Sequence, residues 1–244
     1  MINYKELKIL SRKSDLAQIQ AKLVGSAILQ NNSNVKITYL TKSTEGDLDQ
    51  KSPLSSMKIP GVFTDDLRKS LIDNKCDIVV HSWKDLPIDI GTKTNISGTL
   101  KRADERDILL IPKKRFGDIK KSKKISILSS SPRRVYNLKS FIKDYFPFDC
   151  NVINFINVRG NIPTRLDKLI KGEGDALIVA KAAIDRLINN PFKEYQILST
   201  ETEKKIAACN WMVIPLSINP CSPGQGALAI ETHTENKSLN KIIK

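Results

Sequence analysis

Ile125-Ser126-Ile127-Leu128-Ser129-Ser130-Ser131-Pro132-Arg133-Arg134 is the stretch on which the fold turns. Its first four residues read as a short buried strand. The serines end that strand, and Pro132 suits the first turn of a helix, where its missing N–H has no helical partner to lose. Val135, Leu138, Phe141 and Ile142 follow at helical spacing and give the helix an apolar face. Two arginines therefore stand where a strand hands over to a helix.

The same alternation extends in both directions. Upstream, Leu7 to Leu10 reads as a strand, and Ser14 as the N-cap of a helix with Asp15 in its first turn. Leu16, Ile19, Leu23 and Ile28 form that helix's apolar stripe. Val35 to Leu40 is the next strand, 44–59 a mobile polar loop, and 61–74 a helix marked by Phe63, Leu67 and Leu71. Asp77 to His81 is a strongly apolar strand, stopped by Ser82-Trp83-Lys84-Asp85-Leu86-Pro87. Ile108 to Ile111 is a strand, and the Lys-rich run 113–124 reads as a solvated connection to the strand at Ile125. Downstream lie a strand over 151–158, a helix with Leu166 and Leu169 inward, a strand over 175–179 and a helix over 182–189. Repeated strand–helix units predict an α/β fold with parallel sheets covered on both faces.

Composition narrows the function. The 244 residues carry 40 Lys or Arg against 26 Asp or Glu, a formal charge of +14. Forty per cent hydrophobic and 27% charged residues are globular values. No run approaches the ~18 apolar residues of a membrane span. The N-terminus has no apolar signal region, which points to the cytoplasm. Four separated cysteines, Cys76, Cys150, Cys209 and Cys221, form no C-x-x-C pair, so free thiols are expected rather than disulfides or a zinc knuckle. Two histidines, His81 and His233, are too few for a His-rich metal site.

Thirty of the basic residues are Lys, which suits a solvated surface. The ten arginines are placed differently. All but Arg68 and Arg115 fall in or beside turns at predicted strand ends or helix starts. Aromatics are 6% and none interleaves with a basic run, so nucleic-acid binding is not expected. In α/β sheets ligands bind beyond the carboxyl ends of the strands. Arg12, Lys84, Arg133, Arg134 and Arg159 fall there, next to helix N-termini that add N–H donors. The pattern predicts a small polyanionic ligand.

Five segments carry a more specific signal. They are Ser11-Arg12-Lys13-Ser14, Val80 to Pro87, Ser130-Ser131-Pro132-Arg133-Arg134, Val158-Arg159-Gly160-Asn161-Ile162-Pro163-Thr164-Arg165-Leu166 and Pro223-Gly224-Gln225-Gly226-Ala227. In this order they resemble the porphobilinogen deaminase (hydroxymethylbilane synthase) family over about residues 7–232. The resemblance implies two periplasmic-binding-protein-like (type II) α/β lobes with a cleft between them. Lobe one would be 1–98 plus 200–230, and lobe two 99–199. Residues 231–244 would be the remnant of a connection to a third domain that this chain lacks. The implied activity is a transferase reaction of tetrapyrrole and heme biosynthesis. Four porphobilinogen units condense head to tail, ammonia is released at each step, and a linear tetrapyrrole results. The implied cofactor is a covalently held dipyrromethane. No metal, nucleic acid or membrane enters this reading, and a monomer is expected.

Residue roles follow from the resemblance. Arg12, Ser14, Lys84, Ser131, Arg133, Arg134, Arg159, Arg165 and Arg186 would hold substrate and cofactor carboxylates, which suit forked Arg donors. Asp85 would be catalytic, stabilising the positive charge that develops as ammonia leaves and moving protons. Locally, Asp85 also fits a turn cap before Pro87. His81 reads as a buried structural residue, Trp83 as packing beneath the site, and Arg102 and Arg106 either as ion pairs with neighbouring acids or as ligands. Gly224 and Gly226 suit a tight turn. Two departures stand out. None of the four cysteines sits in the family's glycine-flanked context, so the attachment residue is unassigned and a partner chain is a second way to hold the cofactor. The stretch before Phe63 keeps only Lys58 of the family's usual lysines. The alternative reading is a non-catalytic two-lobe protein that binds tetrapyrroles or other anions.

Overall fold

The computed structural model describes residues 6–44, 61 and 63–243. The described residues form two compact units, one of residues 6–44, 61, 63–103 and 223–243, the other of 104–222.

The first unit holds a five-stranded sheet: β1 (Glu6–Arg12), β2 (Lys36–Lys42), β3 (Ile78–Ser82), β4 (Thr94–Gly98) and β10 (Leu228–His233), in the order β2-β1-β3-β10-β4. β1 runs parallel to β2 and β3, whereas β10 is antiparallel to both β3 and β4. Helix α1 (Asp15–Asn31) follows β1, and α2 (Asp65–Ile72) precedes β3. The buried side of α1 is Ile19, Ala21, Val24 and Ile28. Leu16 and Leu23 of the expected stripe are only half-buried. Leu67 and Leu71 of α2 are fully packed, as their spacing predicts. Helix α8 (Lys237–Ile243) lays Leu239 into the same core.

The second unit repeats the plan. Its strands are β5 (Asp107–Pro112), β6 (Lys124–Leu128), β7 (Val152–Ile156), β8 (Ala176–Ala180) and β9 (Cys209–Ile214), ordered β7-β6-β8-β5-β9. Its helices are α3 (Lys113–Ser122), α4 (Pro132–Tyr145), α5 (Ile162–Lys171), α6 (Lys181–Ile188) and α7 (Gln196–Ala207). β5 and β8 are buried along their whole length, which explains their unbroken apolar runs. In each sheet the fourth strand is antiparallel to its neighbours, and β1-α1-β2-α2-β3 and β6-α4-β7-α5-β8 wind as parallel β-α-β units. That is the strand order of a periplasmic-binding-protein-like type II lobe, found twice.

Four expectations change. The sheets are mixed, because β10 and β5 run against their neighbours. Residues 200–222 belong to the second unit, since β9 pairs with β5 across six residues. Residues 231–243 are not a loose connection, because they complete β10 and form α8 on the first sheet. The Lys-rich run is solvated but helical: α3 buries Ile119 alone and stops at Lys123, which takes the left-handed conformation. The expected loop over 44–59 lies outside the described residues except for Thr44, which is buried.

Candidate active site

β1 and β3 run parallel, so their carboxyl ends lie at one edge of the first sheet. That edge carries Arg12 and Ser14 on one connection and Ser82 to Asp85 on the other. The guanidinium of Arg12 sits 4.4 Å above the ring of Phe63. Ser14 is the N-cap of α1, and its hydroxyl makes no capping bond. The hydroxyl of Ser82 donates to Gln20 Oε1 at 3.1 Å and so ties the second connection to α1. A 3₁₀ turn over Trp83–Asp85 follows, closed by the Leu86 amide on the Trp83 carbonyl. The Trp83 amide donates to the Ala227 carbonyl, which pins the turn to the segment before β10. Gly224 lies under Trp83: a Cβ there would meet Trp83 Cβ at 3.0 Å, and its φ of 69° favours glycine besides. Trp83 itself is 36% exposed, more than a buried packing role predicts. Lys84 is exposed. Asp85 is half-buried, and among the described residues its carboxylate has no hydrogen-bond or ion-pair partner.

Beneath this turn lies a buried charge cluster. Glu231 of β10 is fully buried and accepts from Arg68 Nε at 2.7 Å and Thr94 Oγ1 at 2.6 Å. His81 Nε2 lies 2.8 Å from its other oxygen. Burial alone would raise the pKa of Glu231, but His81, Thr94 and Arg68 together hold it below the usual carboxylate range. His81 is therefore buried, as the sequence predicts, and Glu231 is its unforeseen partner. A lone acid within the apolar strand Leu228-Ala229-Ile230 is the signal that could have found it.

In the second unit β6 and β7 are parallel and also end at a common edge. The Ser129 amide donates to the Ile156 carbonyl, and the Ser130 hydroxyl to the Val158 carbonyl. These bonds bring the connection bearing Ser131, Arg133 and Arg134 against the one bearing Arg159. Ser131 occupies the N-cap position of α4 without a side-chain capping bond, with Pro132 in the first turn. Asn161 caps α5 by accepting from the Thr164 amide at 2.9 Å. Arg165 Nε donates to the Gly160 carbonyl at 2.8 Å, and both Arg159 and Arg165 are half-buried. Arg186 lies in the last turn of α6, where burial pulls its pKa down against the opposing charge of Asp185.

Arg134 departs from its expected role. It is 7% exposed and gives Nε and Nη2 to the two oxygens of Asp107, at 2.9 and 2.7 Å. Arg133 adds a third bond to Asp107 through Nη2 at 2.8 Å. Asp107 is itself 1% exposed at the head of β5. Arg106 pairs with Asp104 at 2.7 Å and holds that carboxyl down at about 2, while Arg102 Nε donates to the Gln225 carbonyl. Cys76, Cys150 and Cys209 are at most 4% exposed, and burial pushes their thiols up, Cys76 to about 12 and Cys209 to about 11. Cys221 is half-exposed. The described residues contain no group of acids, histidines or cysteines able to hold a metal ion, and no helix long and apolar enough to cross a membrane.

Known proteins give this arrangement a context. The family model described as porphobilinogen deaminase, dipyromethane cofactor binding domain, matches residues 7–241. A porphobilinogen deaminase of Caldicellulosiruptor saccharolyticus is 33% identical, over 98% of this chain and 73% of its own. A probable porphobilinogen deaminase of Picrophilus torridus is 39% identical over the same shares, and a porphobilinogen deaminase of Prochlorococcus marinus is 33% identical over 98% and 68%. Among solved structures, a probable amino-acid ABC transporter extracellular-binding protein of Bacillus subtilis is similar at a TM-score of 0.43 and 12% identity, over 99% of this chain and 89% of that one. The family model and the curated relatives carry the conclusion: the chain belongs to the porphobilinogen deaminase family, whose members are transferases of tetrapyrrole biosynthesis.

Proposed function

We propose that this protein is a hydroxymethylbilane synthase, joining four porphobilinogen units head to tail with loss of ammonia at each addition. The observation that carries the reading is Asp85. It is a half-buried carboxylate without a protein partner among the described residues, at the end of β3 and beside Lys84. An acid of this kind has no structural task that accounts for it. It suits a cation that forms transiently, such as the one left when ammonia departs from porphobilinogen. The rigid turn around it, tied to α1 and to Ala227, fixes where that charge is stabilised.

Every pyrrole unit brings an acetate and a propionate. Arg12, Ser14 and Lys84 in the first unit, and Ser131, Arg133, Arg159 and Arg165 in the second, are the donors we assign to these groups. The N-termini of α1, α4 and α5 reinforce them. Arg186 is a further donor on this reading, and Arg134 is left out because its guanidinium is committed to Asp107. The same donor set fits the carboxylates of a dipyrromethane, which supplies the primer end for chain growth. For the covalent link, the three buried thiols are poor nucleophiles, and Cys221 is the one cysteine with exposure to reach a ligand.

Incubation of the purified protein with porphobilinogen, with uroporphyrin formation and intact mass followed together, tests the reading. Turnover with a mass gain equal to a dipyrromethane is expected. Absence of both overturns it, and binding without turnover selects the non-catalytic alternative.

A further inference from the structure

Two arginines share one buried acid in the second unit, and they share it unequally. Asp107 Oδ1 accepts from Arg134 Nη2 at 2.7 Å. Oδ2 accepts three bonds, from Arg134 Nε at 2.9 Å, Arg133 Nη2 at 2.8 Å and Asn219 Nδ2 at 2.7 Å. Arg134 is thus gripped along one whole edge, and its Nη1 reaches back to the Ile178 carbonyl at 3.4 Å. Arg133 is held at its far end only. Its Nη1 donates to Asn219 Oδ1 at 2.9 Å and to the Pro220 carbonyl, its Nε is buried without a partner, and its Nη2 keeps one N–H beyond the bond to Asp107. The side chain of Arg134 is 8% exposed, that of Arg133 24%.

The location matters as much as the bonding. Asp107 pairs with Ala180, at the carboxyl end of β8, because β5 runs antiparallel to β8. The strand reversal therefore delivers the acid to the edge where β6 and β7 end. One carboxylate balances one guanidinium, so the three side chains together keep one positive charge in excess. It lies at the first turn of α4, whose amides add to it.

We propose that Asp107 is a positioning residue for substrate binding: it turns Arg134 into an internal strut and fixes Arg133 as the one guanidinium of the pair presented to a pyrrole carboxylate. This rests on the tetrapyrrole reading. Without Asp107 the two guanidiniums would repel, and Arg133 would lose the anchor that sets the direction of its remaining donors.

The test compares three variants by the affinity of pyrrole-3,4-dicarboxylate, a non-condensing probe, measured calorimetrically, with thermal melting alongside. Arg133→Met is expected to weaken the probe about ten- to hundredfold, the loss expected when one charge-assisted contact is removed. Arg134→Met leaves a matched Asp107–Arg133 pair; it should lower Tm and weaken the probe far less. Asp107→Asn alone leaves two unbalanced buried cations, so the double variant Asp107→Asn/Arg134→Met keeps the charge even and the chain folded. It should weaken the probe about as much as Arg133→Met, and a cooperative melt, even at a lower Tm than Arg134→Met, shows that it is folded. Equal losses for Arg133→Met and Arg134→Met would overturn the division of labour. Wild-type affinity in the double variant would overturn the role of Asp107. Porphobilinogen turnover by the wild type is scored separately. A chain that binds the probe in the expected order but makes no uroporphyrin refutes the enzymatic reading and leaves the positioning role standing.

Discussion

Each unit buries one carboxylate on the antiparallel fourth strand of its sheet, and the two are used differently. Glu231 lies within β10, opposite Val79 in the interior of β3, and is met by Arg68, His81 and Thr94 from three other elements. Asp107 opens β5 at the sheet edge and is met by two arginines from a single helix start. An acid in the middle of a strand can only brace the interior. An acid at the strand's end braces the residues that face a ligand. Position along the strand, more than burial or bonding, separates the two.

Variants that break this contrast can be ranked. The largest effect belongs to Asp85→Asn, which should lower kcat for porphobilinogen about 10²–10⁴-fold with unchanged melting, the loss that removal of a general acid–base or charge-stabilising group brings. A variant of near-normal activity in a turnover assay would remove Asp85 from the chemistry. Next, Glu231→Gln leaves Arg68, whose side chain is 11% exposed, with only the more exposed Asp65 at 3.0 Å as a charged partner, and should cost up to about 3–5 kcal/mol in a denaturant titration. Its KM should stay near wild type in whatever fraction folds. A raised KM would show that the interior cluster also serves the ligand, and the contrast would fail.

Acid sharpens the comparison less violently. Both Glu231 and Asp107 have folded-state pKa values below their ordinary ones. For Asp107 burial would raise it, but Arg134, Arg133 and Asn219 prevail. Their stabilisation is thus present above about pH 4, the unfolded value, and is lost as pH falls through the lower folded values. Melting followed from pH 6 to 2 should fall chiefly below about 4. In the double variant Asp107→Asn/Arg134→Met the slope should be shallower, and an unchanged slope would deny Asp107 its share. The smallest effect is chemical. A thiol reagent at pH 8 should modify Cys221 quickly, and Cys76 in the first unit and Cys209 in the second only upon unfolding. Rapid labelling of Cys76 would mean that the first unit opens more readily than its packing implies.

Local pattern made the βαβ portions of both units readable, because Leu7 to Leu10, Ile125 to Leu128 and Ala176 to Val179 each pass into a helix with one apolar side. The antiparallel direction of β5 was hidden although Ile108 to Ile111 reads as a strand, and β10 was not read at all. Strand direction is a non-local property, and β10 finds its place between β3 and β4 only in three dimensions. Helix α3 was hidden by its own charge, with Ile119 its single buried residue. At the site, the motif segments placed Arg12, Asp85, Arg133 and Arg159 at strand ends. The commitment of Arg134 was not readable, since Asp107 stands 27 residues upstream. A charged residue heading the wholly buried run Ile108-Leu109-Leu110-Ile111 was the available clue.

The chain passes from the first unit to the second after Ala103 and returns after Ser222. The second unit is thus an insertion, its ten secondary elements drawn from one contiguous stretch. The first unit cannot close its sheet until β10 arrives, about 150 residues after β3. During synthesis the inserted unit can therefore collapse around its own core while β3 and β4 still wait for the strand between them. Only with β10 in place can the pairing form that pins Trp83 through Ala227 and buries Glu231 beside His81. Maturation of the turn that carries Asp85 thus waits for the chain's return from the inserted unit.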